Sequence, residues 1–478
     1  MKSLIEKYKE IPYQARASAV ILISSFITSA FSFITTPIFT RLLSVEEYGL
    51  VVQYNSVLEV VTVFATLSLS AGVFQVAMNE FPEDRDSFTF SSLVLSNIAT
   101  VSTFIVIFIF GDWLCSVLHL TFDLFICMFL FLLFNPAMLL WMARQRYEYQ
   151  YKKVATVSIV TVFFNLGVAL TAVILDSKHN LGAVRIWTIS ITQIISASII
   201  YFFMGRKANW RVNWGYIKYA FVFNVPLLIH YLAQYVLHSS DKIMITYFCG
   251  EKATGLYGLG TTVASIAMLA WSAMAASLTP YMYSHITTKE YDKVNKAVIA
   301  VIGIFGVCCI VVSLIGPEIV YILGSNKYME NIQLIPPIAA SSLLAAIYGV
   351  YSTVAFYNHK RTSTAIMTII AATINIGLNY LLIPKYGYIA AAYTTEAAYL
   401  IYTFLHFINY RRITKDNKIF NDVSIWGITG VTTIACIASG YAYHSWIIRY
   451  GIILIVLFFA IFFRKRLINT IMLIFKRR

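Results

Sequence analysis

Six polar side chains set inside long apolar runs are the candidates for chemistry in this chain: Arg41, Glu59, His230, Gln234, Asn375 and Glu396. A guanidinium such as Arg41 grips phosphate oxygens with a planar fork. A carboxylate or imidazole inside apolar surroundings can carry a proton or hold a cation, which makes Glu59, His230 and Glu396 the candidates for coupling. Gln234 and Asn375 offer both donors and acceptors to a hydroxylated ligand. His230, Gln234, His238 and Asp241 recur at spacings of four, four and three, one stripe of a helix. That stripe reads either as the face of a polar cavity for an anionic headgroup, the favoured reading, or as a hydrogen-bonded seam between helices. Asn375 and Asn379, four apart, pose the same alternative on another helix. Gln53 and Asn55 lie near one end of the run that holds Glu59 more deeply, and Asp241-Lys242 reads as an interfacial pair with a snorkelling lysine. Arg16 and Arg41 suit a phosphate by charge, although membrane topology alone accounts for either.

The elements that must position these groups follow from composition. The chain is 59% hydrophobic and 12% charged, about half the charge of a soluble protein. Its mean hydropathy is +0.73. Apolar runs of membrane-crossing length predict an all-α polytopic membrane protein with fourteen spans. The first run ends near Thr40 and exceeds the core of a secretory signal. The rest lie near 50–79, 88–110, 117–142, 153–175, 183–204, 217–240, 255–283, 295–316, 332–356, 362–383, 387–410, 423–443 and 446–463. Asn224-Val225-Pro226 is expected to bend span seven. In span eleven, Pro384 is expected to end the helix at Ile383, with Lys385-Tyr386-Gly387 as the turn and Ala390-Ala391-Ala392 opening the next.

Of the 36 lysines and arginines, 28 fall in the two termini and the alternate connections between spans, including the basic tail from Arg464. The other set holds only Arg41, Lys178, Arg185, Lys242, Lys252, Lys327, Lys385 and Arg449. The expectation is therefore that both termini are cytoplasmic. The net charge of +14 is then topology and contact with anionic lipid, with no nucleic-acid partner.

An internal repeat is visible. Phe164-Asn165-Leu166-Gly167-Val168 resembles Ile374-Asn375-Ile376-Gly377-Leu378, and Glu46-Glu47-Tyr48-Gly49-Leu50 resembles Lys252-Ala253-Thr254-Gly255-Leu256. Both matches span six helices, an even number, so the halves are parallel repeats. The expected organisation is two six-helix lobes, 1–211 and 212–412, and an extra helix pair with a basic tail in 413–478. A duplicated chain of this kind suits a transporter whose pathway opens to alternate sides.

Enzymatic readings lose support. There is no phosphate-binding glycine loop, no zinc-ligand spacing and no catalytic Ser/His/Asp order, and neither a metal nor a cofactor is expected. Cys115, Cys127, Cys249, Cys308, Cys309 and Cys436 are scattered and read as packing residues. Among 32 tyrosines, Tyr281, Tyr283, Tyr348, Tyr351 and Tyr357 stand out as aromatic faces suited to sugar rings.

The stretch Arg41-Leu42-Leu43-Ser44-Val45-Glu46-Glu47-Tyr48-Gly49 resembles the signature after the first helix of the Wzx-type polysaccharide flippases. These belong to the multidrug/oligosaccharidyl-lipid/polysaccharide exporter superfamily. Asp241-Lys242 with Gly255-Leu256-Tyr257, Gly324 to Tyr328, and Asn375/Asn379/Pro384/Gly387 are similar to its later patterns, so the likeness runs over nearly the whole chain. Ala390-Ala391 departs from it, since many relatives have glycine there. The resemblance implies two six-helix bundles in a V with two optional helices, in a bacterial inner membrane. It implies a cargo of undecaprenyl-diphosphate-linked oligosaccharide for O-antigen, capsule or exopolysaccharide. A polysaccharide polymerase and a chain-length regulator are the expected further partners. The task fits the polar residues, since an unshielded charge in hydrocarbon costs roughly 2.5–3.5 kcal/mol on insertion scales. Rival readings are a cation-coupled drug antiporter, for which Glu59 is the clear first-lobe carboxylate, a lipid II flippase, and an integral-membrane polymerase or ligase.

Overall fold

The computed structural model describes residues 13–176, 179–415 and 418–462; every described element is helical, and no strand occurs among these residues. In hydrocarbon the backbone must satisfy its own hydrogen bonds, and a helix does so within one segment. The basic termini, 1–12 and 463–478, and the side chain of Arg16 lie outside the described residues.

The chain divides into two compact units, Met1–Ser239 and Ser240–Arg478. The first holds α1 (Tyr13–Leu42), α2 (Val45–Thr66), α3 (Val73–Glu80), α4 (Arg85–Ile109), α5 (Gly111–Leu118), α6 (Phe122–Tyr147), α7 (Tyr151–Leu175) and α8 (Leu181–Lys207), and ends within α9 (Trp214–Thr287). The second holds the rest of α9, then α10 (Tyr291–Leu314), α11 (Gly316–Gly324), a 3-10 turn (Asn326–Leu334), α12 (Ile335–Tyr357), α13 (Arg361–Tyr386), α14 (Tyr388–Thr414), α15 (Asp422–Tyr441) and α16 (Trp446–Phe462). A helix stands at each of the fourteen predicted ranges, with α9 supplying two. Among the described residues ten helices, α9 counted once, are long and apolar enough to cross a membrane.

Within the first unit α8 packs against both α6 and α7, and α4 packs against α6. Within the second, α14 packs against both α12 and α13, and α10 against α12. These are the same pairings six spans further on. α15 then packs on α10 and α12. The stretch containing α12 is 83% buried in its most apolar window, whereas that of α7 is 11% buried. α12 is therefore the interior helix of its unit, and the apolar surface of α7 is left for lipid.

Local chemistry explains several joints. Ser44 caps α2 in a reciprocal box: its Oγ accepts from the Glu47 N–H at 3.1 Å, and its own N–H donates to Glu47 Oε2 at 2.8 Å. The other carboxylate oxygen of Glu47 accepts from the Leu181 N–H at 2.8 Å, so one side chain caps the start of α8 as well. Gly387 sits at φ +73°, a backbone that glycine adopts without strain, and turns α13 into α14.

Three expectations need correction. Span two stops at Thr66, because Leu67 and Ser68 turn left-handed and α3 restarts only at Val73. Span seven runs nine residues past 240, to Gly250 at φ +83°. That glycine, not Pro226, is the one non-helical residue inside α9. Span eleven continues through Pro384 to Tyr386, since a proline in the last turn forfeits only one backbone bond; the Gly387 N–H then closes on the Ile383 carbonyl at 2.8 Å.

Candidate functional site

In the first unit, α9 brings Ser239 to α2, where its hydroxyl donates to Glu59 Oε2. Ser239 is fully buried and Glu59 half-buried, and Tyr235 lies within electrostatic reach of the carboxylate. On the same helix His230 is half-buried, with no hydrogen-bond partner at Nδ1 among the described residues, while Gln234 and His238 are exposed. The predicted stripe therefore exists as far as His238, but Asp241 turns inward. Arg41 is exposed at the end of α1 and donates from Nη1 to the Pro37 carbonyl at 2.9 Å. Gln53 is buried and donates to the Leu118 carbonyl at 2.9 Å, which makes it a helix tie. Asn224 is buried as well. Its amide donates to the Leu67 carbonyl and accepts from the Val73 N–H at 3.2 Å, clamping the break between α2 and α3.

The first unit also holds a knot of neutral groups. Thr192 donates to Asn165 Oδ1 at 2.6 Å, Asn165 to Gln193 Oε1 at 3.4 Å, and Gln193 to Asn135 Oδ1 at 3.2 Å, tying α6, α7 and α8.

The second unit is built around a carboxylate. Asp241, 4% exposed, accepts from Asn379 Nδ2 at 2.7 Å, from the Tyr257 hydroxyl at 2.8 Å and from the Thr395 hydroxyl at 2.6 Å. Thr394 donates to Asn379 Oδ1. Ser240 and Asn379 both donate to Asn375 Oδ1, at 3.2 and 3.3 Å, and among the described residues Asn375 Nδ2 is left without a partner. Charged acceptors make the stronger hydrogen bonds, and three donors hold this carboxylate in the interior. The interfacial reading of Asp241-Lys242 is thus corrected: with α9 continuing to Cys249, Asp241 lies two turns inside its segment. The sequence carried the signal, since no turn residue follows Lys242 until Gly250. Asn375, fully buried, takes part in the hydrogen-bonded seam between α9 and α13. Glu396, one residue beyond Thr395, is 9% exposed, and among the described residues its carboxylate receives no hydrogen bond.

The tyrosines divide. Tyr351 is 1% exposed and packs on Tyr410 at 5.2 Å, so its face is spent on the core, against expectation. Tyr281 stacks on His285 at 4.0 Å, Tyr348 lies over Tyr402 at 4.4 Å, and Tyr283 pairs with Tyr357 at 5.8 Å. No group of three or more metal-binding side chains occurs among the described residues.

Comparison with known proteins agrees with this architecture. Over 260 residues, 52% of this chain and 65% of the relative, the chain is 24% identical to the capsular polysaccharide biosynthesis protein CapF of Staphylococcus aureus. It is 26% identical over 192 residues, 39% of this chain, to the uncharacterized membrane protein MJ1068 of Methanocaldococcus jannaschii, covering 38% of that protein. The matches thus span less than two thirds of these curated relatives. In fold, the chain is similar to the lipid II flippase MurJ in an inward closed conformation, with a TM-score of 0.65, 15% identity, and coverage of 94% of this chain and 99% of that one. It is also similar to an inward-facing multidrug resistance MATE transporter of the MOP superfamily, with a TM-score of 0.59, 12% identity, and coverage of 81% and 96%. The family described as polysaccharide biosynthesis protein matches residues 38–333, more than half of the chain. This multi-pass membrane protein, with the fold of the MOP superfamily, belongs to that family.

Proposed function

We propose that this protein is a flippase for undecaprenyl-diphosphate-linked oligosaccharide repeat units. It would move them from the cytoplasmic to the outer leaflet of a bacterial inner membrane by alternating access, for surface polysaccharide synthesis. The observation that carries this reading is a polysaccharide-biosynthesis family match on a chain with a transporter fold. In this reading the protein changes no covalent bond. Both termini face the cytoplasm, and the lobes are 1–211 and 212–412, with 413–478 appended. The matching helix pairings of α6, α7, α8 and α12, α13, α14 support the repeat.

The polar residues take roles by charge. Arg41 meets phosphate, Gln234 meets hydroxyl or phosphate oxygens, and Asn375, whose Oδ1 is held in the seam, offers its Nδ2 to an acceptor oxygen. Glu59, His230 and Glu396 are the coupling groups, to which the buried Asp241 is now added. Each is an acid or base inside a membrane-spanning segment, where a change of protonation or a bound cation alters local energetics by several kcal/mol. A second reading, with lipid II as cargo, is favoured by the extent of the likeness to MurJ.

Deleting the gene tests the proposal. Complete single repeat units should then accumulate on the cytoplasmic face, with loss of surface polymer. Single repeats on the outer face would place the defect after translocation and overturn the reading. Unchanged polymer with defective peptidoglycan precursor export would transfer it to lipid II.

A further inference from the structure

One cavity in the second unit is used by none of these roles. It lies between residues 251–287 of α9 and α12 and measures about 160 Å³. At roughly 30 Å³ per water this is room for about five waters, the scale of one ring rather than a chain of rings. Trp271, Thr279, Gly349 and Thr353 line it, with Leu278 and Met282 as apolar wall.

The polar groups here are few and unspent. Trp271 is 9% exposed and packs on the buried Phe305 at 5.2 Å, and among the described residues its indole N–H meets no acceptor. That N–H is therefore available to a ligand in the cavity. The Thr279 hydroxyl likewise has none among the described residues. Thr353 donates to the Gly349 carbonyl at 2.9 Å, which leaves its oxygen free to accept. A Cβ built on Gly349 would meet nothing within 4 Å, so the backbone there borders open space. One turn along each helix the Tyr283 and Tyr357 rings pair, and Tyr357 is joined to Thr287 by a 3.0 Å hydrogen bond.

From this geometry we infer that the cavity is a subsite for a single sugar ring of the cargo. A pyranose offers apolar C–H faces for the indole and the apolar wall, and hydroxyls that both donate and accept. The Trp271 N–H gives to one hydroxyl, the Thr353 oxygen takes from another, and Thr279 does either. A hydrocarbon chain would leave the Trp271 N–H and the Thr279 hydroxyl unpaired at a cost, which is what sets a sugar apart from an isoprenoid or acyl tail. The assignment rests on the flippase reading for the identity of the cargo, and on the cavity alone for its chemistry.

Purified full-length protein in nanodiscs tests it by titration with a panel of methyl hexosides and methyl N-acetylhexosaminides. Tryptophan emission is recorded in wild type and in Trp271→Phe, so that the difference reports Trp271. At least one glycoside should give a saturable, Trp271-dependent shift. Thr279→Val should weaken it about tenfold, and Gly349→Leu, which fills the cavity, should abolish it. A Trp271-dependent response to dodecanol with none to any glycoside would assign the cavity to a lipid chain and overturn the inference. So would silence across the panel, or glycoside shifts unchanged in both Thr279→Val and Gly349→Leu. Binding is read without transport, so a failure of the flippase reading in deletion cells remains distinguishable from a failure here.

Discussion

The two units place comparable helices but differ in the charge of their hydrogen-bonded knots. In the first, the amide of Asn165 is tied to Thr192 and Gln193, and every member of the knot is neutral. In the second, Asn375, the counterpart of Asn165 in the sequence repeat, joins a knot whose centre is a buried carboxylate. Arg185 of the first unit lies over the Phe39 ring at 3.9 Å. The position 210 residues later is Thr395, which donates to Asp241. The contrast separates two uses of polarity in a membrane protein. Neutral amides join helices for a modest gain and can be left in place. A carboxylate in the interior is costly unless fully bonded, and its state changes with protons or cations. On this account the neutral knot of the first unit is a passive frame, with coupling in that unit left to Glu59 and His230, and the knot of the second unit carries a group whose occupancy can drive a change of state.

The largest break in that contrast is Asp241→Ala. It leaves the Tyr257 and Thr395 hydroxyls and an Asn379 N–H without an acceptor, so stability should fall by about 2–5 kcal/mol, read as thermal unfolding of the purified protein. Asp241→Asn keeps the shape and removes the charge. It should retain most of the stability and lose export at least tenfold. Equal stability losses in the two variants would show that the charge, and not the shape and hydrogen-bonding capacity of the side chain, holds the site together.

A smaller effect is expected at the joint of the first unit. Glu47→Ala removes caps from both α2 and α8 and should cost about 1–2 kcal/mol, with Glu47→Gln recovering about half of it, because its one amide oxygen can accept from only one of the two N–H groups. Smaller still is Asn165→Ala, at about 0.6–1.7 kcal/mol, with export within twofold of wild type. An export loss as deep as that of Asp241→Asn would abolish the distinction between the units. Last comes Glu396→Gln. No donor loses its acceptor, so stability should hold or rise by up to about 1 kcal/mol at neutral pH, while export falls if Glu396 couples.

Most of the fold was legible because the helices are written in hydropathy, which is local. What was hidden depends on distant partners. Nothing in Leu67-Ser68-Leu69-Ser70 breaks a helix, and the chain turns there under the clamp of Asn224, 157 residues away. Asp241 looked interfacial because the adjacent Lys242 suggested a membrane surface; its burial comes from Tyr257, Asn379 and Thr395, brought in by folding. The shared face of Asn375 and Asn379 was readable from spacing alone, but whether it served a cavity or a seam was not. Tyr351 had the right chemistry for a sugar and the wrong neighbours, being packed among Tyr410 and Phe420. The double role of Glu47 was half visible, as Ser44 and Glu47 form a capping spacing, whereas its reach to Leu181 is tertiary.

The central claim is translocation, and reconstitution tests it most directly. Purified protein is placed in vesicles loaded on the inner leaflet with an undecaprenyl-diphosphate oligosaccharide, and access of an added lectin to the sugar is followed with time. The account predicts that wild type exposes the sugar at least tenfold faster than protein-free vesicles or Asp241→Asn, under an imposed cation or proton gradient. Exposure no faster than in protein-free vesicles, under any gradient, would contradict it.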